Sequence, residues 1–160
     1  MVHQILIVGH ALCGGVAFVI GCCILRPPPT HRSPLFLTYG IALAGLLLLM
    51  FAVVAWDWAL LVTGQRITFS LLCVLGLYTG WRGLQAHREL AQRHPEWQVR
   101  YIDHLGFTLI SLFDGFTIVA SIDLGAPLAV VLVVGVAGVI AGIAAMNVVK
   151  SRVRRAAVNA

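Results

Sequence analysis

The sequence predicts an all-α integral membrane protein, a single bundle of five transmembrane helices. Hydrophobic residues make up 60% of the chain and charged residues only 11%, and the mean hydropathy is +0.95. These values lie far outside the range of soluble proteins and require an apolar solvent. The hydrophobic residues fall into five runs, each near the roughly 20 residues that cross a bilayer as a helix. Because five such runs and their loops use up the 160 residues, we expect one membrane domain over 1–160 and no large soluble domain.

Each predicted span is bounded by residues that end or start a helix. The spans cover about residues 4–25, 34–55, 60–81, 105–123 and 127–148. No Lys or Arg precedes the first, which predicts a retained helix rather than a cleaved signal peptide. The proline run at 27–29 cannot continue that helix, and Ser33 with Pro34 supplies an N-cap and a first-turn proline for the second. Between the fourth and fifth spans, Gly125 to Pro127 provides the break.

The start of the third span has two interpretations. In the first, residues 56–58 form a tight turn with interfacial tryptophans, and the span starts near residue 60. In the second, the loop continues over 57–66 and the span starts at Ile67. The second interpretation moves Arg66 from the apolar region to the surface.

The basic residues predict the orientation. Every Lys and Arg except Arg66 falls in the segment joining spans one and two, the segment joining spans three and four, or the C-terminal tail. Positively charged loops stay in the cytoplasm, so the N-terminus is predicted outside and the C-terminus inside, in the cell's inner (cytoplasmic) membrane. Membrane topology thus accounts for the net charge of +5, and nucleic acid is not expected as a partner.

Small residues in two of the spans indicate close helix packing. The first span contains Gly9, Ala11, Gly14, Gly15, Ala17 and Gly21, and the fifth contains Gly135, Gly138 and Gly142. At such spacings small residues let helix backbones approach each other in lipid. We therefore expect these spans to pack against neighbouring helices. The neighbours are helices of the same chain, other membrane subunits, or a second copy in a homo-oligomer through the fifth span.

Three ionisable residues in apolar runs, His10, Arg66 and Asp114, are the candidate intramembrane site. Ionisable groups in membrane helices mark functional sites by default, because a charge there costs several kcal/mol. One interpretation is a substrate, ion or proton site. A structural alternative is an ion pair of Arg66 and Asp114 that orients helices, with His10 bonded to a backbone carbonyl. A third is an exposed Arg66 and a protonated Asp114.

Histidines near the predicted inner helix ends are candidate haem ligands. They are His31, His87, His94 and His104, with His10 deeper in the first span. Two imidazoles on facing helices can ligate a haem iron in a small bundle, here haem b, although histidines are also common near the interface. The segment 87–104 also carries Trp97 and Arg100, which predicts an interfacial helix break that contacts headgroups or docks a partner.

Three short patterns resemble a known group of proteins. They are "HALCGGVAFVIG" with His10, Gly14, Phe18 and Gly21; "HR" at His31 and Arg32, followed by Tyr39; and "HPEWQVR" with His94, Trp97 and Arg100. Over residues 10–105 the chain is similar to predicted bacterial polytopic membrane proteins of a domain-of-unknown-function family. The resemblance implies a helical bundle in which His10, His31, His94 and Arg100 have functional roles. It does not indicate an activity.

The predicted function follows from this inventory. The sequence carries no Gly-rich phosphate loop, Ser nucleophile elbow or His-Glu metalloprotease pair, which favours a non-enzymatic protein. We expect an accessory subunit or a small binding or transport component, embedded in the bilayer and built around the polar residues of its core. The alternative is a b-type haem or quinone-linked electron carrier that uses histidine ligands.

Overall fold

The structure, a computed structural model, describes residues 2–25, 28–30 and 32–158, except the side chains of residues 122, 123, 128, 157 and 158. The described residues form five helices: α1 (Val2–Leu25), α2 (Pro34–Asp57), α3 (Thr63–Gln92), α4 (Trp97–Asp123) and α5 (Leu128–Val158). All five are long and apolar enough to cross a membrane. The predicted all-helical, multi-pass membrane architecture is therefore confirmed.

The helices α3 and α4 extend further toward each other than the apolar runs indicated. α3 continues to Gln92 instead of ending near 81, and α4 begins at Trp97 instead of near 105. The added residues of α3 are mostly good helix formers, but Arg, Gln and Glu are so frequent among them that hydropathy does not detect this part of the helix. Only residues 93–96 interrupt the helices, and Arg93 there has a left-handed φ of 46°. With 30 residues, α3 is about 45 Å long and exceeds the roughly 30 Å hydrocarbon core.

Four helices form a closed ring, and the fifth packs outside it. α1 packs against α2 and α4, and α3 packs against α2 and α4, which closes the ring. α5 packs against α4 alone among the described elements. Most of the α5 surface is therefore left to lipid or to other membrane helices.

The buried side chains concentrate at one end of the ring, where α1, α3 and α5 finish and α2 and α4 begin. We call this the basic end. The core there consists of Ile24, Phe36, Tyr39, Leu43, Ala86, Leu90, Tyr101, Ile102, Leu105 and Leu109, joined by Ala17 and Ala42. The Tyr101 hydroxyl donates to the Ile24 carbonyl at 2.9 Å. This carbonyl belongs to the last turn of α1, which lacks helical partners, so Tyr101 ties α4 to the end of α1.

Polar contacts at the basic end join the remaining helices. The Lys150 ammonium of α5 lies 2.6 Å from a carboxylate oxygen of Asp103 on α4. The Arg82 guanidinium of α3 donates to the Asp103 backbone carbonyl at 2.8 Å. The rings of Phe36 and His87 stack with their centroids 5.4 Å apart and join α2 to α3. The loops that the sequence predicted on one side of the membrane therefore meet at one end of the bundle.

Candidate functional site

His10 lies between α1 and α2. Its Nδ1 atom is 3.0 Å from the carbonyl oxygen of Leu46 on α2. A carbonyl oxygen can only accept, so Nδ1 carries a proton and donates this hydrogen bond. This contact is the backbone hydrogen bond that the structural alternative predicted for His10.

Arg66 lies in the first turn of α3, at the opposite, distal end of the bundle. Its guanidinium carbon is 5.6 Å from the ring centroid of Trp58, within the range of a cation–π contact. α3 starts at Thr63, between the two starts that the sequence allowed. Arg66 is therefore near the helix end and beside an interfacial tryptophan, a position that fits an Arg at the membrane boundary.

Asp114 lies on the face of α4 that packs against α5. A Cβ atom added at Gly138 would be 2.9 Å from the Asp114 Oδ1 atom, and one added at Gly135 would be 3.7 Å from it. The small residues of α5 thus leave the space that the carboxyl group occupies. The Oδ1 atom is enclosed and has no hydrogen-bond partner among the described residues.

The structure does not gather the three predicted site residues into one pocket. His10 lies between α1 and α2, Arg66 at the distal end of α3, and Asp114 between α4 and α5. Within the described ranges the ion pairs are His3 with Asp57, Arg100 with Glu89, and Lys150 with Asp103. An ion pair of Arg66 with Asp114 is not among them.

The histidines predicted as haem ligands have different surroundings. His31 lies outside the described residues. His87 stacks on Phe36, His94 is exposed in the turn between α3 and α4, and His104 is electrostatically close to Arg82 and Glu89 of α3. In the described part of the chain, no three His, Cys, Asp or Glu side chains form a group that could hold a metal ion. Haem ligation stays a prediction.

The segment with Trp97 and Arg100 ties α4 to the end of α3. The Arg93 guanidinium lies 5.2 Å from the Trp97 ring centroid. One turn further, Arg100 Nη1 lies 4.0 Å from Glu89 Oε1. These pairs, together with Arg82 over the Phe107 ring at 5.2 Å, form a ladder between the two helices. Because the sequence suggested a helix break over most of this segment, it did not predict the ladder.

The distal half of α3, residues 63–75, is more exposed than the half of α3 at the basic end. None of these residues is buried, whereas Thr79, Gly83, Ala86 and Leu90 of the same helix are. The exposed polar residues there are Thr63, Gln65, Thr68 and Ser70. A Cβ atom added at Gly64 would meet nothing within 4 Å. α3 thus exposes hydrogen-bonding side chains in a membrane-spanning helix, and no described residue fills the space beside Gly64.

Comparisons with known proteins gave no match: no family model, no curated protein and no solved structure matches the chain. The resemblance to the uncharacterised membrane-protein family stays a prediction. Any functional inference therefore depends on the residues and contacts described above.

Proposed function

We propose that the protein is a non-enzymatic accessory subunit whose α3 receives a transmembrane helix of a larger membrane complex. The observation that carries this proposal is the set of exposed polar side chains in the distal half of α3. In a chain otherwise rich in aliphatic side chains, this half-helix exposes Gln65, Thr68 and Ser70. Polar side chains are disfavoured on a lipid-facing surface and stabilise helix pairs by hydrogen bonds across the interface.

The local hydrogen bonds support a partner for this surface. The Thr68 hydroxyl donates to the Gly64 carbonyl at 3.0 Å, so its oxygen remains available to accept a bond from another helix. The Gln65 side-chain oxygen accepts from the Val62 backbone amide at 3.2 Å, and its two amide hydrogens remain available. Small and hydroxyl-bearing residues of this kind are typical of helix–helix interfaces in lipid.

The proposal includes an orientation and a membrane. The basic end faces the cytoplasm, and the distal end, with Trp58 and Arg66, faces outward. Support comes from the joining segments and the tail, which hold every Lys and Arg except Arg66 and meet at one end of the bundle. In a bacterial cell this orientation corresponds to the inner membrane, with the partner subunit embedded beside α3.

The test is photocross-linking in native membranes with a photoreactive residue at Leu71, which is 65% exposed on α3. We expect a covalent adduct with another membrane protein at Leu71 and none at Leu48, which is 70% exposed on α2. Adding Thr68→Val with Ser70→Ala should lower the adduct yield at least about threefold, because an interhelical hydrogen bond in lipid contributes about 0.6 to 2 kcal/mol.

The matched control is Thr38→Val. The Thr38 hydroxyl is also exposed and donates to the carbonyl four residues earlier, Pro34, at 2.9 Å, but it lies on α2 at the basic end. This variant should leave the adduct yield unchanged. Equal yields at Leu71 and Leu48, or adducts with lipid alone, would contradict the proposal. An adduct between two copies of the chain would contradict the accessory-subunit proposal and would show a homo-oligomer instead.

The haem or quinone-linked carrier is a second candidate, and the hydrogen bond of His10 is the observation that favours it. A metal-binding His is usually oriented by a bond from its other ring nitrogen to a carbonyl or carboxylate, and Nδ1 of His10 meets the Leu46 carbonyl in this way. On the accessory-subunit proposal, visible spectra of the oxidised and dithionite-reduced protein from native membranes are featureless. A Soret band that shifts on reduction and is lost in His10→Ala would establish the carrier instead.

A further inference from the structure

The interface between α4 and α5 contains the carboxyl group of Asp114, which lies between two aliphatic side chains on the same face of α4. Ile110, Asp114 and Ile118 are four residues apart and therefore lie on one face of α4. They pack over three glycines of α5, Gly142, Gly138 and Gly135 respectively. The isoleucines fill the space above their glycines with hydrocarbon, and Asp114 fills the middle position with a carboxyl group.

No described charged residue of α4 or α5 pairs with the carboxyl group of Asp114. The next charged residue along α4 toward the basic end is Asp103, about 16 Å away at 1.5 Å per residue. The described cation of α5 nearest the glycines, Lys150, is bound to Asp103 at 2.6 Å. Along this interface the described ion pair is thus separate from Asp114, and the Oδ1 atom of Asp114 is enclosed without a hydrogen-bond partner.

Basic groups on α1 and α3, the other helices that pack against α4, contact partners other than Asp114, and Arg88 is exposed near the basic end. On α1, His10 bonds to the Leu46 carbonyl. On α3, Arg66 stacks on Trp58 at the distal end, and Arg82 bonds to the Asp103 carbonyl at the basic end. The helices around Asp114 therefore supply no counter-ion from the described residues.

We propose that Asp114 is a proton-binding site, and that its carboxyl group holds a proton at neutral pH inside the α4–α5 interface. An unpaired carboxylate in the hydrocarbon region costs several kcal/mol, which binding a proton removes. Alkali and alkaline-earth cations prefer a shell of several oxygen ligands. The nearby hydroxyl of Thr117 instead bonds the Phe113 carbonyl of its own helix at 2.7 Å, so a proton is the ligand that this single carboxyl group fits.

The test is labelling of the full-length protein in membranes with dicyclohexylcarbodiimide, followed by peptide mass spectrometry. A protonated carboxyl group adds across a C=N bond of the carbodiimide: the acyl oxygen bonds to carbon and the proton moves to nitrogen. The acyl group then migrates to nitrogen as a stable N-acylurea, and no atom is lost. We expect labelling at Asp114 at neutral pH, its decline as the pH rises, and complete loss in Asp114→Asn.

Asp103 is the internal control, because its carboxylate contacts the Lys150 ammonium at 2.6 Å, and we expect it to remain unlabelled. A second readout does not depend on reagent access. The infrared C=O stretch of a protonated carboxylic acid should be present in the wild-type protein, absent in Asp114→Asn, and lost reversibly at high pH. If that band at neutral pH is the same in both proteins, Asp114 is ionised and the proposal is wrong. Because Asn is neutral and of similar size, the variant should fold, which circular dichroism in detergent checks.

Discussion

Replacing Tyr101 by Ala is expected to lower the free energy of unfolding by about 3 to 5 kcal/mol, the usual cost of deleting a large buried aromatic side chain. Tyr101 is fully buried, and its ring lies near Phe36 of α2, with centroids 6.5 Å apart. Its hydroxyl also donates to the Ile24 carbonyl of α1. The substitution therefore leaves a cavity between three helices and an unsatisfied carbonyl at the end of α1.

Reversible unfolding in mixed micelles measures this effect, with Tyr78→Ala as the matched control. Tyr78 is 42% exposed and contacts the rings of Trp81 and Phe107 at the surface of α3 and α4. Its loss should cost only about 1 kcal/mol, the scale of an aromatic pair. Tyr101→Phe separates the two contributions, since it keeps the ring and removes the hydrogen bond, at about 1 kcal/mol. Equal costs for the two Ala variants would show that the basic end is not the stabilising centre of the bundle.

Gly21→Leu is expected to separate α1 from the ring, at a cost of about 3 kcal/mol or more. A Cβ atom at Gly21 would lie 2.6 Å from Leu109 Cδ2 and 3.2 Å from Tyr39 Cε2. The full Leu side chain would add three further carbons where α1, α2 and α4 meet. Overpacking a filled core costs typically 1 to 3 kcal/mol, and this position lies among three helices with no free side to relax into.

The same helix provides the control, Gly15→Leu. A Cβ atom at Gly15 would meet nothing within 4 Å, so Leu there should be neutral or slightly stabilising, since it favours the helix over Gly by up to about 1 kcal/mol. Distances between spin labels on α1 and α4 should increase in Gly21→Leu and stay unchanged in Gly15→Leu. If both variants unfold with the same free energy as the wild type, the close approach at Gly21 does not stabilise the bundle.

The sequence predicted the helices well because each of the five is marked by an apolar run of membrane length. It did not predict where α3 ends, because Arg82, Gln85, Arg88 and Glu89 end the continuous apolar run without ending the helix. The sequence likewise showed that Asp114 lies in an apolar run of membrane length. It did not show that the Asp114 side chain packs against α5. Counting residues gives a depth in the membrane, whereas the direction of a side chain around its helix depends on which helices are adjacent. The packing of α5 on α4 decided that direction for Asp114.

The polar ladder between α3 and α4 illustrates the same limit. Arg82 and Glu89 are seven residues apart, which places them on one face of a helix, and Arg100 contacts Glu89 from the next helix. That periodicity becomes visible only when the segment is treated as helical. A search for charged residues at spacings of three, four and seven across the joining segment could have found the ladder.

The pattern of helix contacts also has a consequence for biosynthesis. Every packed pair in the described structure joins helices that are consecutive in the chain, except α1 with α4. A chain that leaves the ribosome from its N-terminus can therefore assemble stepwise, each new helix docking on the one before it, with low contact order. The ring stays open until α4 arrives and Tyr101 meets the end of α1. α5 then adds to a finished ring, which makes α4 the helix whose insertion commits the chain to its final form.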